Sequence, residues 1–409
     1  MAPASGQRDA TGGSLLGAGI AWKALAGFFL SGLLFAFPGV ILPIWRHHLT
    51  EDYLTAGNYF LAMNLGVIAA FGLSQALRRR GLALRLALAC ALACAALVYL
   101  AFVPPGSRPE LQFIGIFVLG SGAGLLNIGI FRAISALYRH DQPAAINLAG
   151  AMFGAGSVVL AVLAAGTYYV YTITSILILV ALLPGFFIGI YGRTKFQPEQ
   201  GAPHPSLQQA IADFRSPAAV LLALLLFFQF GNEWSIAGWL PLFLIQRLGI
   251  SPESSLIMLA VYWSALLVGR VVVFAVLPSV SRGKLLMGSV VAAMFGCAIL
   301  ISTDNRFGAV MGILLAGGGF ASVYPLVAEK IGGRFPYYHP GFFNGIFSFA
   351  LTGGMLAPWS LGYFTHLWGI RVAMALPLFG TVMVFLLLGL LWAEATFGRA
   401  LARNALQKR

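Results

Sequence analysis

Apolar stretches of membrane-spanning length recur twelve times along this chain, and this repetition limits its possible folds more than any other feature. About 20 apolar residues in an α-helix cross the hydrocarbon core of a bilayer. Only 9% of the 409 residues are charged, against about 25% in soluble domains. The sequence therefore predicts an all-α integral membrane protein with twelve transmembrane helices, near residues 20–45, 56–77, 83–103, 111–137, 144–168, 170–191, 218–246, 254–278, 284–303, 307–328, 341–365 and 370–394.

The Lys and Arg residues are distributed unequally between the two ends of these spans. Eighteen of the 25 lie at the termini and in the loops that follow even-numbered spans, five lie in the other loops, and Arg132 and Arg270 lie within spans. Basic loops mark the cytoplasmic side, so we expect both termini in the cytoplasm and the protein in the plasma (inner) membrane. The net charge of +13 reflects this orientation, and we predict no nucleic-acid partner.

The two halves of the sequence resemble each other. GSGAGLLNIGIFR (120–132) aligns with GGGFASVYPLVAE (317–329), and NLAGAMFGAG (147–156) aligns with NGIFSFALTG (344–353). Both pairs have the same offset, which is difficult to obtain by chance. A duplicated six-helix unit is typical of transporters whose halves move around a solute site near the bilayer midplane.

A proline-rich loop separates the two halves. Within it, SLQQAIADFR sets Leu207, Ile211 and Phe214 on one helical face, which predicts a short helix lying in the membrane interface. We therefore predict three parts: an N-terminal six-helix half (1–191), a cytoplasmic linker (192–217) and a C-terminal six-helix half (218–409).

Twelve spans, cytoplasmic termini, the duplication and a basic turn after the second span resemble the major facilitator superfamily. The signature of that family in this turn contains an aspartate–arginine pair followed by Gly-x-basic. Here the turn reads SQALRRRG, in which Arg79 and Gly81 match the signature and Arg78 replaces the aspartate. The resemblance implies two six-helix halves related by pseudo-twofold symmetry, and we expect a monomer in the lipid bilayer.

Several stretches resemble a subgroup of that family, the fucose–galactose–hexose proton symporters typified by fucose permeases. These include GLLFAFPGVILP in the first span, INLAGAMFGAGSVV in the fifth and SFALTGGMLAPWSLGY in the eleventh. The resemblance implies proton-coupled transport of a sugar or a similar small polar solute. Fucose permeases carry acidic residues in their first and fourth spans, whereas this first span has no acid and the fourth has Asn127 at the matching position. Their proton route therefore cannot be transferred to this chain.

Glu233 is the only ionisable residue between Pro217 and Gln246, and it lies near the middle of the seventh span. A charge at the bilayer centre costs at least ~2.5 kcal/mol, which favours a functional role. Glu233 either carries a proton, or stays ionised and binds a cationic or hydroxylated solute, or is a structural group bonded to a neighbouring helix. We prefer the proton role because no other acid lies near the midplane.

Polar and aromatic residues surround Glu233. Aromatic rings beside hydrogen-bonding side chains suit a sugar, because its C–H faces pack on the rings and its hydroxyls find polar partners. Gln229 lies one helical turn before Glu233 and shares its face. The predicted solute-binding residues are Glu233, Gln229, Asn232, Trp234, Asn127, Tyr262 and Trp263.

Arg132 and Glu329 occupy equivalent positions in the duplicated fourth and tenth spans. Their opposite charges predict a pair across the two halves that closes the cytoplasmic side as a gate. The alternative is that each pairs locally, for instance Glu329 with Lys330 or Arg334. Arg270, which matches a Gly-Arg pair of the subgroup, either contacts the solute or, the interpretation we favour, has a structural role. Arg79 and Gly81 likewise either have a structural role or contact the solute.

No motif for an enzyme or a cofactor occurs in the sequence. His47 and His48 with Glu51 and Asp52 have a spacing that fits no metal site, and we interpret them as a solvated turn. We therefore expect no metal and no cofactor. The sequence predicts a secondary transporter of a small polar solute, with a sugar preferred and protons as the coupling ion. The alternatives are an exporter of an amphipathic drug or metabolite and a transporter-like membrane receptor or lipid-handling protein.

Overall fold

A computed structural model describes residues 8–103, 106–137, 142–196, 214, 216–334 and 340–407, and within these ranges it is helical with no strands. Eleven helices in this part of the chain are long and apolar enough to cross a membrane. The prediction of an all-α membrane protein is confirmed. The helices are α1 (Arg8–Ile44), α2 (His47–Thr50), α3 (Tyr53–Ala76), α4 (Leu82–Phe102), α5 (Pro109–Leu137), α6 (Gln142–Thr167), α7 (Ile173–Gly192), α8 (Pro217–Leu248), α9 (Pro252–Val276), α10 (Arg282–Ser302), α11 (Arg306–Arg334), α12 (Pro340–Trp368) and α13 (Val372–Gln407).

The ends of α8 follow from its sequence. Pro217 occupies the first helical position, where the missing N–H is not needed and the fixed φ suits a helix. Gly249 ends the helix at φ 61° and donates its N–H to the carbonyl of Ile245 at 3.0 Å, because glycine adopts the left-handed conformation without a steric penalty. The predicted span 218–246 therefore lies within two residues of the observed helix at both ends.

Other elements differ from the sequence-based expectations. The four-residue helix α2 follows the first span, a stretch that we interpreted as a turn, and α13 continues past its predicted end to Gln407. Leu207 and Ile211 of the predicted interfacial helix lie outside the described residues. Phe214 of the same stretch is described, and its ring lies 6.4 Å from that of Phe349 on α12.

The chain divides into two compact units. One comprises residues 1–46 and 61–201, and the other comprises residues 47–60 and 202–409. Helix α3 is thus shared, because its first eight residues pack in the second unit and its remainder packs in the first.

The same close helix contacts occur inside each unit. Gly156 on α6 packs on the carbonyl of Phe29 on α1, and Gly353 on α12 packs on the carbonyl of Phe227 on α8, in both cases too closely for a Cβ atom. Small residues allow such approach of membrane helices. Gly122 likewise packs on Ala93 in the first unit, and Gly319 packs on Ala293 in the second. The sequence repeat therefore corresponds to repeated helix packing.

The segment 47–60 is held in the second unit by polar and aromatic contacts. Tyr53 donates from its hydroxyl to Oε1 of Gln246 at 2.9 Å, and Trp359 donates from Nε1 to Oδ1 of Asn58 at 3.3 Å. The ring of Phe60 is stacked on that of Trp239, with centroids 6.1 Å apart. These contacts explain why this segment packs with α8 and α12.

Candidate functional site

Glu233 lies near the middle of α8 and is buried, with 7% of its surface exposed. Gln229, one turn earlier, is 1% exposed and donates from Nε2 to Oε1 of Glu233 at 2.7 Å. A hydrogen bond to an ionised acceptor is shorter and stronger than one between neutral groups. The two residues that the sequence placed on one helical face thus form a buried pair in the apolar centre of this helix.

Gln229 also connects α8 to α11. Its Nε2 lies 3.5 Å from the carbonyl oxygen of Phe320, at the limit of a hydrogen bond. Its Oε1 is buried and has no hydrogen-bond partner among the described residues. A buried acceptor without a donor costs about 1–3 kcal/mol, so the Gln229 carbonyl is a position where a hydrogen-bond donor is favoured.

Helix α9 supplies two aromatic residues next to this pair. Tyr262 is fully buried and donates its hydroxyl to the backbone carbonyl of Glu233 at 3.2 Å, so it fixes the helix backbone at Glu233 and not the carboxylate. The ring of Trp263 meets that of Trp234 edge to face, with centroids 5.9 Å apart. The two indoles give the site an apolar wall beside its polar groups.

Arg270 is the cation that acts on Glu233. Its guanidinium, also on α9, interacts electrostatically with the Glu233 carboxylate and with Tyr324 on α11. Its Nε is buried and has no hydrogen-bond partner in the described ranges. The site therefore contains a carboxylate and a guanidinium that interact electrostatically, with no ion pair between them among the described residues.

Asn232 faces another helix. Its Nδ2 donates to Oγ1 of Thr381 on α13 at 3.3 Å, and Gly380 leaves room for the Asn232 side chain because a Cβ at that glycine would clash with it. The structure thus places Asn232 in a contact between α8 and α13, next to Glu233 in sequence but directed towards a different helix.

The first unit has a simpler arrangement at the equivalent positions. Asn127 on α5 donates from Nδ2 to Oγ of Ser31 on α1 at 3.1 Å. The offset that relates Phe29 to Phe227 also relates Ser31 to Gln229 and Phe35 to Glu233. The first unit therefore has a hydroxyl and a phenyl ring where the second has the Gln229–Glu233 pair.

The predicted gate residues have the following positions. Arg132 on α5 is half-buried, and Glu329 near the end of α11 forms an ion pair of 2.6 Å with Arg282 at the start of α10. Glu329 thus has a local partner, although a different one from those that we considered in the sequence. The pairing of Arg132 with Glu329 remains a prediction.

The turn between α3 and α4 contains the matched signature residues. Arg79 is exposed, and Gly81 precedes the first residue of α4 with no side-chain cap. Several polar contacts were missed in the sequence, including Arg282 with Glu329 and Tyr53 with Gln246. These contacts join residues on different helices. They depend on how each helix is rotated about its axis, which the apolar pattern does not define.

The long apolar helices and the polar residues buried among them are those of a polytopic membrane protein. The family profile of the Major Facilitator Superfamily matches residues 24–358, and the chain belongs to this family. It is a membrane transporter and not an enzyme. The resemblance to the major facilitator superfamily predicted from the sequence is confirmed.

Two kinds of relatives are similar to this chain. An uncharacterised MFS-type transporter of Yersinia pestis is 23% identical over 363 residues, which cover 88% of this chain and 91% of the relative. Among solved structures, a variant of the E. coli fucose:proton symporter FucP has a TM-score of 0.62 at 14% identity, covering 91% of this chain and 98% of its own. A variant of the nucleoside transporter NupG has a TM-score of 0.70 at 13% identity, with coverage of 91% and 99%. These structures share the fold.

Proposed function

We propose that this transporter moves a small polar solute, preferably a sugar, and that the solute contacts the Gln229–Glu233 pair. The buried Oε1 of Gln229, which has no donor among the described residues, is the observation that carries the proposal. A solute hydroxyl supplies the missing donor, and the Glu233 carboxylate accepts a second hydroxyl. The indoles of Trp234 and Trp263, in contact with each other, accept the C–H face of a sugar ring.

We further propose that Glu233 carries the coupling proton. The present contact, in which Gln229 Nε2 donates to Glu233, suits an ionised carboxylate. A protonated Glu233 keeps one acceptor oxygen and gains an O–H donor. When that O–H donates to Gln229, the amide presents Oε1 to it and turns Nε2 away from the Phe320 carbonyl. Proton binding on α8 thereby alters the contact with α11. This links the charge of Glu233 to a rearrangement between helices, which proton-driven transport requires.

The similar structures agree with this choice of solute. One is a fucose:proton symporter and another is a nucleoside transporter, and fucose is a sugar while a nucleoside contains one. Nucleosides are therefore the second candidate, and the flat indole surfaces suit their bases as well.

Solute uptake into proteoliposomes under an imposed pH gradient tests the proposal. Radiolabelled sugars and nucleosides are screened, and we expect one of them to accumulate against its gradient only when the outside is acidic. Accumulation that is the same with and without the pH gradient would contradict the proposed proton coupling. Export of amphipathic compounds without uptake of any sugar or nucleoside would favour the drug or metabolite exporter instead, and binding without accumulation would favour a receptor.

The distribution of Lys and Arg supports a membrane orientation, and the sequence repeat supports a division into halves. We propose that both termini are cytoplasmic in the plasma (inner) membrane, that the transporter acts as a monomer, and that residues 1–191 and 218–409 are its six-helix halves joined by the 192–217 linker. A gate formed by Arg132 and Glu329 on the cytoplasmic side completes this proposal.

A further inference from the structure

A groove of about 350 Å³ lies between α10 and α11 of the second unit. Its walls are apolar, with Leu285 on one side and Leu314 on the other. Two glycines open it: a Cβ at Gly288 or at Gly318 would meet no other atom within 4 Å. The groove exists because these two positions lack side chains, whereas the same helices are in close contact at Gly319 and Ala293.

One end of the groove carries a positive charge. Lys284, in the first turn of α10, lines it, is exposed, and makes no ion pair or hydrogen bond among the described residues. The neighbouring Arg282 is paired with Glu329, so its charge is compensated, whereas Lys284 has no such counter-charge in the part of the chain that the structure describes. The groove therefore combines a mostly apolar lining, interrupted by Ser289, with the exposed ammonium of Lys284 near one end.

The dimensions match one leaflet of a membrane. From Lys284 to Ala292, both in the wall of the groove, the helix rises about 12 Å, close to the ~15 Å half-thickness of the hydrocarbon core. Lys284 stands at the end of α10 that the basic loops assign to the cytoplasmic face. Basic pockets between transmembrane helices on this side suit anionic lipid headgroups.

We propose that this groove binds an anionic phospholipid, with one acyl chain over Gly288 and Gly318 and the phosphate on the ammonium of Lys284. The charge complementarity selects an anionic headgroup over a zwitterionic one, and the missing side chains make room for the chain. This site is separate from the Gln229–Glu233 pair and does not depend on the transported solute.

Native mass spectrometry of the purified full chain tests the proposal. The protein is titrated with phosphatidylglycerol and, in parallel, with phosphatidylcholine of the same acyl chains. We expect tighter binding of phosphatidylglycerol, a loss of about fivefold in Lys284→Gln, and weaker binding of both lipids in Gly288→Leu. The matched controls, Arg80→Gln in the basic turn of the first unit and Gly389→Leu on an exposed face of α13 where a Cβ meets no atom within 4 Å, are expected to bind as the unmodified protein.

Two further measurements keep the proposal open to contradiction. If Gly288→Leu does not fold, Gly318→Leu replaces it, and a phosphatidylglycerol with a photoreactive acyl chain is expected to crosslink near residues 284–292 or 314–319. Equal binding of the two lipids, unchanged binding in both groove variants, or displacement of phosphatidylglycerol by inorganic phosphate would each overturn it. The last outcome would indicate a phosphate site without a lipid chain.

Discussion

Gln229 and Glu233 form a hydrogen-bonded pair of 2.7 Å in the buried centre of α8, and only one of the two polar atoms of the Gln229 amide takes part in it. Glu233 can change its charge, and Gln229 can offer either a donor or an acceptor to it. If Glu233 carries the coupling proton, as proposed, a change in this pair alters the contact of Gln229 with the Phe320 carbonyl on α11. The first two predictions concern it.

Glu233→Gln is expected to abolish uptake driven by a pH gradient and to spare exchange of solute across the membrane. The amide keeps the shape of the side chain but carries no proton at physiological pH. Proteoliposomes loaded with unlabelled solute measure exchange, and an imposed pH gradient measures driven uptake. Full pH-driven uptake in this variant would make Glu233 a structural residue.

Gln229→Leu is expected to raise the KM for the solute by about three- to tenfold, the range for loss of one hydrogen bond. Asn232→Ala provides the contrast, because Asn232 bonds to Thr381 on α13. We expect Asn232→Ala to lower the melting temperature and to leave KM unchanged. If KM rises only in the Asn232 variant, the solute contacts Asn232 and the assignment of Gln229 is wrong.

Gly353→Ala and Gly389→Ala are expected to change stability in opposite directions. A Cβ at position 353 clashes with the backbone of Phe227, and overpacking costs about 1–3 kcal/mol. Position 389 is open, so alanine there stabilises the helix by about 0.5–1 kcal/mol. Thermal unfolding in detergent, followed by circular dichroism, measures both. Equal melting temperatures would contradict the close packing of α8 and α12.

Charge reversal distinguishes the local ion pair of Glu329 with Arg282 from its proposed gate pair with Arg132. The Arg282–Glu329 pair is largely exposed, so Arg282→Glu is expected to cost less than about 1 kcal/mol of stability and to leave transport intact. If Arg132 and Glu329 form the gate, Arg132→Glu and Glu329→Arg each reduce transport, and the double reversal restores it. Rescue of Glu329→Arg by Arg282→Glu alone would show that the local ion pair is the one that matters.

The protein is expected to lose stability as the pH falls from 6.5 to 4, and His47 is one cause. Burial lowers the pKa of His47 from 6.5 to about 4, with Asp52 opposing the shift and His48 adding to it. The unfolded chain therefore binds a proton in this range that the folded protein does not, which removes roughly 3 kcal/mol of stability at the acidic end. We expect the melting temperature of His47→Phe, which retains a ring beside Tyr59, to depend less on pH between pH 4 and 6.5 than that of the unmodified protein. An unchanged slope would show that other groups cause it.

The apolar pattern was sufficient to predict the long membrane helices, and the spacing of Gln229 and Glu233 was sufficient to predict that they share a helical face. Residues four apart on a helix share a face whatever surrounds them, so this contact depends on sequence spacing alone. The partners of Asn232 and Glu329 lie on other helices, and they depend on the rotation of each helix about its axis. A span that is apolar on all sides does not define that rotation. The packing of residues 47–60 in the second unit was not predictable for the same reason, since its hydrogen bonds join residues about 190 to 300 positions apart.

The shared helix α3 has a consequence for any attempt to split this transporter into two genes. A cut in the 192–217 linker places Tyr53 and Asn58 on the first polypeptide and their partners Gln246 and Trp359 on the second. The second polypeptide, produced alone, therefore carries an incomplete folding unit with two orphaned polar side chains. Co-produced fragments regain those partners. Reconstitution of the split transporter therefore depends on the fourteen residues 47–60, which belong to the first fragment but pack in the second unit.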